Sequence, residues 1–472
     1  MTKNKILYHT VEHSPVRKIL VEASKQRLKK IFNISNIKNI KDIRVKYSKI
    51  PSFRFILFFI KNILNLNILI EKKYVQIRYN GYEIGRYAAS YTYRDNKVFS
   101  YQLLKNYLFI KNIIIAGFVV DNALKIVKKS SAIYIDHVGY LNGLYINIFS
   151  QNKKIIFFNG FPRGFSFIDF KKKRNQQVND STIIIVRESK NKIDKNIIKK
   201  CKKKIVGIIK QPKKNLHYMR FTQYSKKQLN RIEKIDFKKA NYLIYAHSFV
   251  DGQLFFGYDG FTNLFEWLDF TINNLKMRNK NVIVKAHPNF YNKILANLAI
   301  EDRKIFDYFK NKYQSKKIQF IDIPVENNLI LKKLDKKTII LSHHGTAILE
   351  STYMGFKSIC SYAAIWSKEF KISNQWSSKK EYKKLLTRDY SSLKLYNSKN
   401  KFYDLLHQMY FNPHSVHKKK HFYTIIKKNA KNVKITKKMY KINADNIMKY
   451  VDIKKIPKIT NEISNNVEEI II

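Results

Sequence analysis

Short apolar runs, mostly β-branched and of strand length, recur along this chain, with helical spacing between several of them, and that alternation limits the folds open to it. The runs lie at residues 74–78, 113–119, 132–135, 154–158, 182–186, 242–245, 281–284, 318–321 and 338–341. Helical spacing marks residues 143–150, 264–277 and 347–354. Strands that alternate with helices predict an α/β fold, because each crossover helix must bury its apolar stripe on a mainly parallel sheet. No internal repeat and no Pro/Gly linker divides the 472 residues. A Lys-dense stretch at 189–239 separates two alternating series and holds the expected boundary. The expected organisation is one domain at 1–235, a second domain at 236–395 and a basic helical extension at 396–472. Both domains should be Rossmann-like and doubly wound, facing a central cleft.

Charge is the second constraint. Lys and Arg total 92 against 34 Asp and Glu, a formal net charge of +58. Only 15 of the basic residues are Arg, and the chain is also crowded with Ile and Asn. Lys, Ile and Asn share A- and T-rich codons, so codon bias accounts for much of the excess. Nucleic-acid readers rely on the planar, bidentate Arg fork, and no nucleic-acid module is recognisable, so no specific nucleic-acid partner is expected. The field still favours anionic lipids and nucleotide-linked substrates. Cys201 and Cys360 are too few and too far apart for a metal knuckle or a disulfide framework, which points to a reducing compartment. No signal peptide is legible at the start. The most apolar stretch, 53–70, is interrupted by Arg54, Lys61, Asn62, Asn65 and Asn67, which suits a core or a membrane interface better than a membrane span.

The residues that can carry chemistry follow three strand-like runs. After 242–245 come His247, Ser248, Asp251, Gly252, Asp259 and Gly260. The two aspartates can orient a sugar hydroxyl, act as a base, or cap the helix that starts near Thr262. After 281–284 come Lys285, His287 and Pro288, where a cation and an imidazole at a strand end suit the phosphate of a nucleotide leaving group. After 338–341 come Ser342, His343, His344, Gly345 and Thr346, opening a helix that carries Glu350. Gly345 admits close backbone approach, the helix start offers N–H groups to an anion, and Glu350 lies where it can reach ribose hydroxyls. The adjacent histidines diverge along an extended backbone and lack a HExxH or HxH context, so no protein-held metal or cofactor is expected.

HSFVDGQ, DGFTNLFEWLDFTI, KAHPNF and HHGTAILESTYMG, in this order, resemble the bacterial capsule polysaccharide synthesis glycosyltransferases of the GT-B fold, related to capsular Kdo transferases. The resemblance implies that Lys285, His287, His344, Gly345, Thr346 and Glu350 bind a nucleotide-sugar donor. The HP pair followed by a second histidine motif is also similar to sialyltransferases, which makes a CMP-linked donor attractive. NGYEIGRYAASYTYRD and YIDHVGYLNGLYINIF resemble acceptor-domain segments, with Asp136, His137 and Tyr140 after the run at 132–135. An inverting enzyme needs a carboxylate or imidazole to take the acceptor's proton, and Asp136, His137 and Asp251 are the candidates. Asp251 precedes Gly252 as the acidic base does in the sialyltransferase-like enzymes, although Val250 stands where a second acidic residue is expected.

The expected activity is metal-independent transfer of a sugar from a nucleotide donor to a surface polysaccharide or its lipid-linked precursor, with His287 and His344 stabilising the departing nucleotide. The expected location is cytoplasmic, at the anionic inner face of the membrane. A CDP-glycerol-type glycerophosphotransferase and a non-catalytic basic nucleic-acid-binding or scaffold protein are the alternatives.

Overall fold

In a computed structural model the chain is described at residues 5–9, 15–35, 37, 39–43, 52–63, 73–96, 107–136, 139–160, 164–170, 194–212, 232–254, 257–291, 296–364, 370–396, 399–411, 425, 428–429 and 451–470. In chain order the elements begin with β1 (Ile6–His9), α1 (Pro15–Phe32), β2 (Asn39–Asp42), α2 (Phe53–Ile63), α3 (Ile84–Asn96) and α4 (Tyr107–Val127). Then come β3 (Ala132–Ile135), α5 (Asn142–Gln151), β4 (Ile155–Gly160), β5 (Gly164–Asp169), α6 (Lys195–Lys210), β6 (Tyr242–Tyr245), α7 (Leu264–Met277) and β7 (Val282–Lys285). The rest are α8 (Ala296–Tyr313), β8 (Ile318–Ile321), α9 (Asn327–Leu331), β9 (Ile339–Ser342), α10 (Ala347–Tyr353), β10 (Ser358–Ser361), β11 (Asn374–Trp376), α11 (Lys379–Thr387), α12 (Lys399–Tyr410), α13 (Ile456–Asn465) and β12 (Glu468–Ile470). The α/β class expected from the alternation is the one observed.

The chain separates into two compact units. The first comprises residues 1–88, 110–191 and 408–472, and the second residues 89–109 and 192–407. The division at 191/192 falls inside the Lys-dense stretch, ahead of α6, rather than at 235/236. Amphipathic spacing explains this: Cys201, Ile205, Ile208 and Ile209 are the buried face of α6, and Cys201 Sγ lies 3.5 Å from the Tyr403 carbonyl of the second unit. Residues 408–472 are likewise no separate extension. Ile459, Ile463 and Val467 join Leu7, Leu20 and Tyr134 in the first unit's core, and β12 pairs in parallel with β5.

The first unit's sheet has the order β12-β5-β4-β3-β1-β2 and is parallel except for the β4–β5 hairpin. Two expected strands are helical. Residues 74–78 overlap a 3-10 turn at Lys73–Gln76, and residues 113–119 are the middle of α4. Length decides the second case: a 21-residue segment with Phe109, Ile113, Ala116, Val120, Ala123 and Val127 buried carries a helical stripe into which the short run is absorbed. Gly117 of α4 lets α2 pack closely, since a Cβ there would lie 2.1 Å from the Phe55 ring. Among the described residues only α4 is long and apolar enough to cross a membrane, and half of that stretch is buried. The run at 182–186 lies outside the described residues.

The second unit's sheet is wholly parallel, in the order β11-β10-β9-β6-β7-β8. Counted from its first strand this is 3-2-1-4-5-6 read from the other edge, the order of doubly wound dinucleotide-binding folds, and the chain reverses direction between β6 and β9. Trp267, Trp376 and Tyr382 fill its core with the inner faces of these strands.

Candidate active site

The reversal point fixes where the polar residues of the second unit gather. In an open parallel sheet, the crevice outside the carboxyl ends of the strands at that point is the ligand position. Tyr245 at the end of β6 is in register with Lys285 on β7 and with Ser342 on β9. Two residues further along each strand stand His247, His287 and His344, so equal spacing on three neighbouring strands sets three imidazoles side by side. The ring centroids of His247 and His344 are 3.8 Å apart, and those of His247 and His287 are 5.1 Å apart. These rings, with Asp251, Lys285 and Glu350, line a cavity of about 340 Å³, and Gly345 and Thr346 also border it.

Burial governs the electrostatics. Lys285 is 3% exposed, with its Nζ 5.7 Å from the centroid of the Tyr245 ring. Its ammonium is pushed down to about 8 by burial, against the pull of the Glu350 carboxylate. Glu350 is pushed up to about 7 by burial, opposed by a hydrogen bond that Asn327 Nδ2 donates to its Oε1 at 3.1 Å and by Lys285. Burial also lowers all three imidazoles: His247 to about 4, and His287 and His344 well below the usual range, each of these two lowered further by its neighbouring imidazoles and His287 also by Lys285. A buried ammonium beside imidazoles held neutral is an environment that an anion would relieve.

The surrounding loops are built to hold this edge. Asp302 of α8 accepts hydrogen bonds from Ser248 Oγ at 2.7 Å and from the N–H groups of Phe249 and Val250 at 2.7 and 3.2 Å, pinning the segment after His247. Gly252 has φ +71°, and a Cβ there would stand 3.4 Å from His344 Nε2, so the backbone passes close to that edge of the ring. Asp251 is partly exposed at the cavity wall, with its Oδ1 3.4 Å from Arg94 Nη1. Gly345 is required for space, because a Cβ there would meet Ser342 Oγ at 2.7 Å. The helix after it, α10, has only seven residues, so side chains rather than a long helix dipole give this edge its polarity.

A second chain of contacts runs behind the cavity. His343 Nδ1 and His344 Nδ1 are 2.8 Å apart, and His343 Nε2 lies 2.9 Å from Asp259 Oδ2. Ser361 Oγ donates to the same carboxylate oxygen. Burial pushes the Asp259 carboxyl up, but His343 and the hydrogen bonds from His343, Ser361 and the Phe261 N–H outweigh it and hold the group below its ordinary value. Trp267 and Trp376 lie edge-on to the His343 ring, with centroids 5.5 and 5.7 Å away.

Lys285, His287, His344, Gly345, Thr346, Glu350 and Asp251 are thus brought together within the second unit. Asp136 lies in the first unit at the end of β3, 3.0 Å from Arg17 Nη1, and accepts a 3.2 Å hydrogen bond from Asn142 Nδ2. His137 lies outside the described residues. The capping role open to Asp251 and Asp259 falls to Asn263, whose side chain accepts from the Glu266 N–H at 2.7 Å. His247 follows the first of these strands but carried no expected role; the signal for one is the matching position of YAH, KAH and SHH after three strands. Among the described residues no group of three His, Cys, Asp or Glu side chains is arranged to hold a metal.

No protein-family profile matches the chain, and no curated protein does. Solved structures with similar folds include glycosyltransferases. KpsC of Thermosulfurimonas dismutans, a beta Kdo 2,4 transferase, shares 11% identity at TM-score 0.34, covering 66% of this chain and 88% of that one. The trehalose-6-phosphate synthase OtsA shares 9% at TM-score 0.30, covering 88% and 96%. The UDP-forming α,α-trehalose-phosphate synthase of Burkholderia vietnamiensis shares 10% at TM-score 0.29, covering 86% and 93%. Identities near a tenth with TM-scores below 0.5 assign neither a substrate nor a role to any residue of this chain.

Proposed function

We propose that the chain is a glycosyltransferase of the GT-B type that moves a sugar from a nucleotide-linked donor to a surface polysaccharide or its lipid-linked precursor. One observation carries the reading: Lys285, His287, His344 and Glu350 converge on a single cavity at the point where the parallel sheet of the second unit reverses direction. In this reading a nucleotide phosphate lies against Lys285 and the imidazoles, and Glu350 binds the hydroxyls of the ribose; their common cavity supports it. The acceptor oxygen attacks the anomeric carbon as the bond from that carbon to the phosphate oxygen breaks. The acceptor's proton passes to a carboxylate, for which Asp251 at the cavity wall is the candidate. Negative charge grows on the leaving phosphate and is stabilised by the Lys285 ammonium and by N–H groups of His287 and His344. This scheme assigns the chemistry to side chains and calls on no metal ion. Cytidine-linked donors are the first to test, because KAHP and HHGT resemble the motifs of enzymes that use them.

A lipid-linked acceptor would place the protein at a membrane, and α2 offers a surface for that. Phe53, Leu57 and Ile60, spaced at i, i+4 and i+7, are 73%, 52% and 55% exposed on one side of the helix, while Phe55 is buried against α4. Arg54 and Lys61 are exposed beside them, which suits an anionic bilayer surface and the net charge of +58.

The reading is tested by nucleotide release from a panel of CMP-, UDP- and GDP-linked sugars with a glycolipid extract as acceptor. Acceptor-dependent release from one donor, falling at least tenfold in His287→Ala, is expected. Release from none, or release indifferent to His287, contradicts it.

A further inference from the structure

We propose that His343 and Asp259 are positioning residues which decide the nitrogen of His344 that carries its proton, and so whether His344 accepts or donates at the cavity. The inference rests on the cavity being the site of reaction proposed above, but its geometry is separate. Asp259 Oδ2 lies 2.9 Å from His343 Nε2, and a carboxylate only accepts, so His343 carries a proton on Nε2. The 2.8 Å contact between the two Nδ1 atoms then holds one proton. With His343 neutral, its Nδ1 is a lone pair, the shared proton belongs to His344 Nδ1, and His344 Nε2 is an acceptor. Trp267 and Trp376 stand edge-on to the His343 ring, with centroids 5.5 and 5.7 Å away, and pack it in this position.

A proton that reaches His344 Nε2 from solvent completes the exchange and supplies the N–H that His344 offers to the leaving phosphate. The shared proton moves from His344 Nδ1 to His343 Nδ1, and His344 becomes a neutral Nε2–H donor. The positive charge rests on His343 beside the Asp259 carboxylate, which stays unprotonated. One proton enters and one positive charge appears, displaced from the cavity by one ring. His344 can therefore turn from acceptor to donor without itself holding a charge among the groups that face this site: His247 of the β6 edge, Lys285 and His287 of the β7 edge, Asp251 of the loop and Glu350 of α10. Ser361 supports the arrangement by donating to the same Asp259 oxygen from the end of β10.

The test is side-chain ¹⁵N NMR of histidine-labelled full-length protein across pH, in wild type and in Asp259→Asn. In the wild type at neutral pH, His344 is expected as the Nδ1–H tautomer. On acidification His343 and His344 should change together with a single midpoint, His344 gaining its Nε2 proton as His343 becomes charged. In Asp259→Asn the Nδ1–H preference should be lost. The result that overturns the proposal is a wild-type His344 protonated on Nε2 while His343 is neutral, or two rings that titrate independently; both are read on wild type even if the variant fails to fold. For a donor that is turned over, Asp259→Asn should lower kcat about tenfold or more with KM within about twofold. If no nucleotide sugar is turned over, the proposed reaction falls while the tautomer measurement still decides the relay.

Discussion

Lys285 holds its ammonium in a buried position where the folded value is about 8, below the ordinary value of a lysine. The sign of the effect on binding follows. An anion binds the charged form, and in the free protein that form is lost as pH rises through about 8, so binding above that pH must take up a proton. The dissociation constant of the bound nucleotide should rise by up to about tenfold per pH unit above 8, and Lys285→Met should bind weakly with no such slope. Calorimetry at pH 7 and pH 9 reads both, and a flat wild-type profile would remove Lys285 from the phosphate site. At this scale the sequence was most informative where a motif puts polar groups beside one another: KAHP exposed Lys285 and His287, HHGT exposed His344, and the helix that follows exposed Glu350. It was silent where the partner lies across strands. The approach of His247 to His344, and the pairing of Asp259 with His343 across 84 positions, depend on strand register and loop return, which no local spacing encodes.

Among the elements, α2 shows how a single apolar stretch divides between core and surface. Phe55 packs on Gly117 while Phe53, Leu57 and Ile60 face outward. A variant with Phe53→Ser, Leu57→Ser and Ile60→Ser should stay folded, because these side chains are already exposed. It should bind vesicles containing an anionic lipid about tenfold or more weakly than the wild type, since apolar burial and charge both hold an interfacial helix. Equal binding at the same salt concentration in a sedimentation assay would leave charge alone as the cause. Strand positions in the second unit were legible because a short apolar run ended by a polar loop has few other uses in a parallel sheet: 242–245 and 318–321 match β6 and β8. The run at 113–119 misled because β-branched residues fit a buried helix as well as a buried strand, and only the stripe over all of Tyr107–Val127 distinguishes them.

For the whole molecule, the α/β class followed from alternation, but the division of the chain did not. Residues 408–472 return to the first unit through β12 and α13, a long-range pairing that composition cannot report. The central claim is that the second unit binds a nucleotide at the carboxyl edge of β6, β7 and β9, and thermal unfolding with CMP, CDP, UMP, UDP and GDP tests it most directly. A ligand at about 100 times its dissociation constant adds about 2.7 kcal/mol, enough to raise Tm by several degrees. The account predicts that one nucleotide raises the Tm of the wild type and that His287→Ala and Glu350→Ala, still folded, lose the shift. Folded wild type that no nucleotide stabilises, or a shift that survives in both variants, would contradict it.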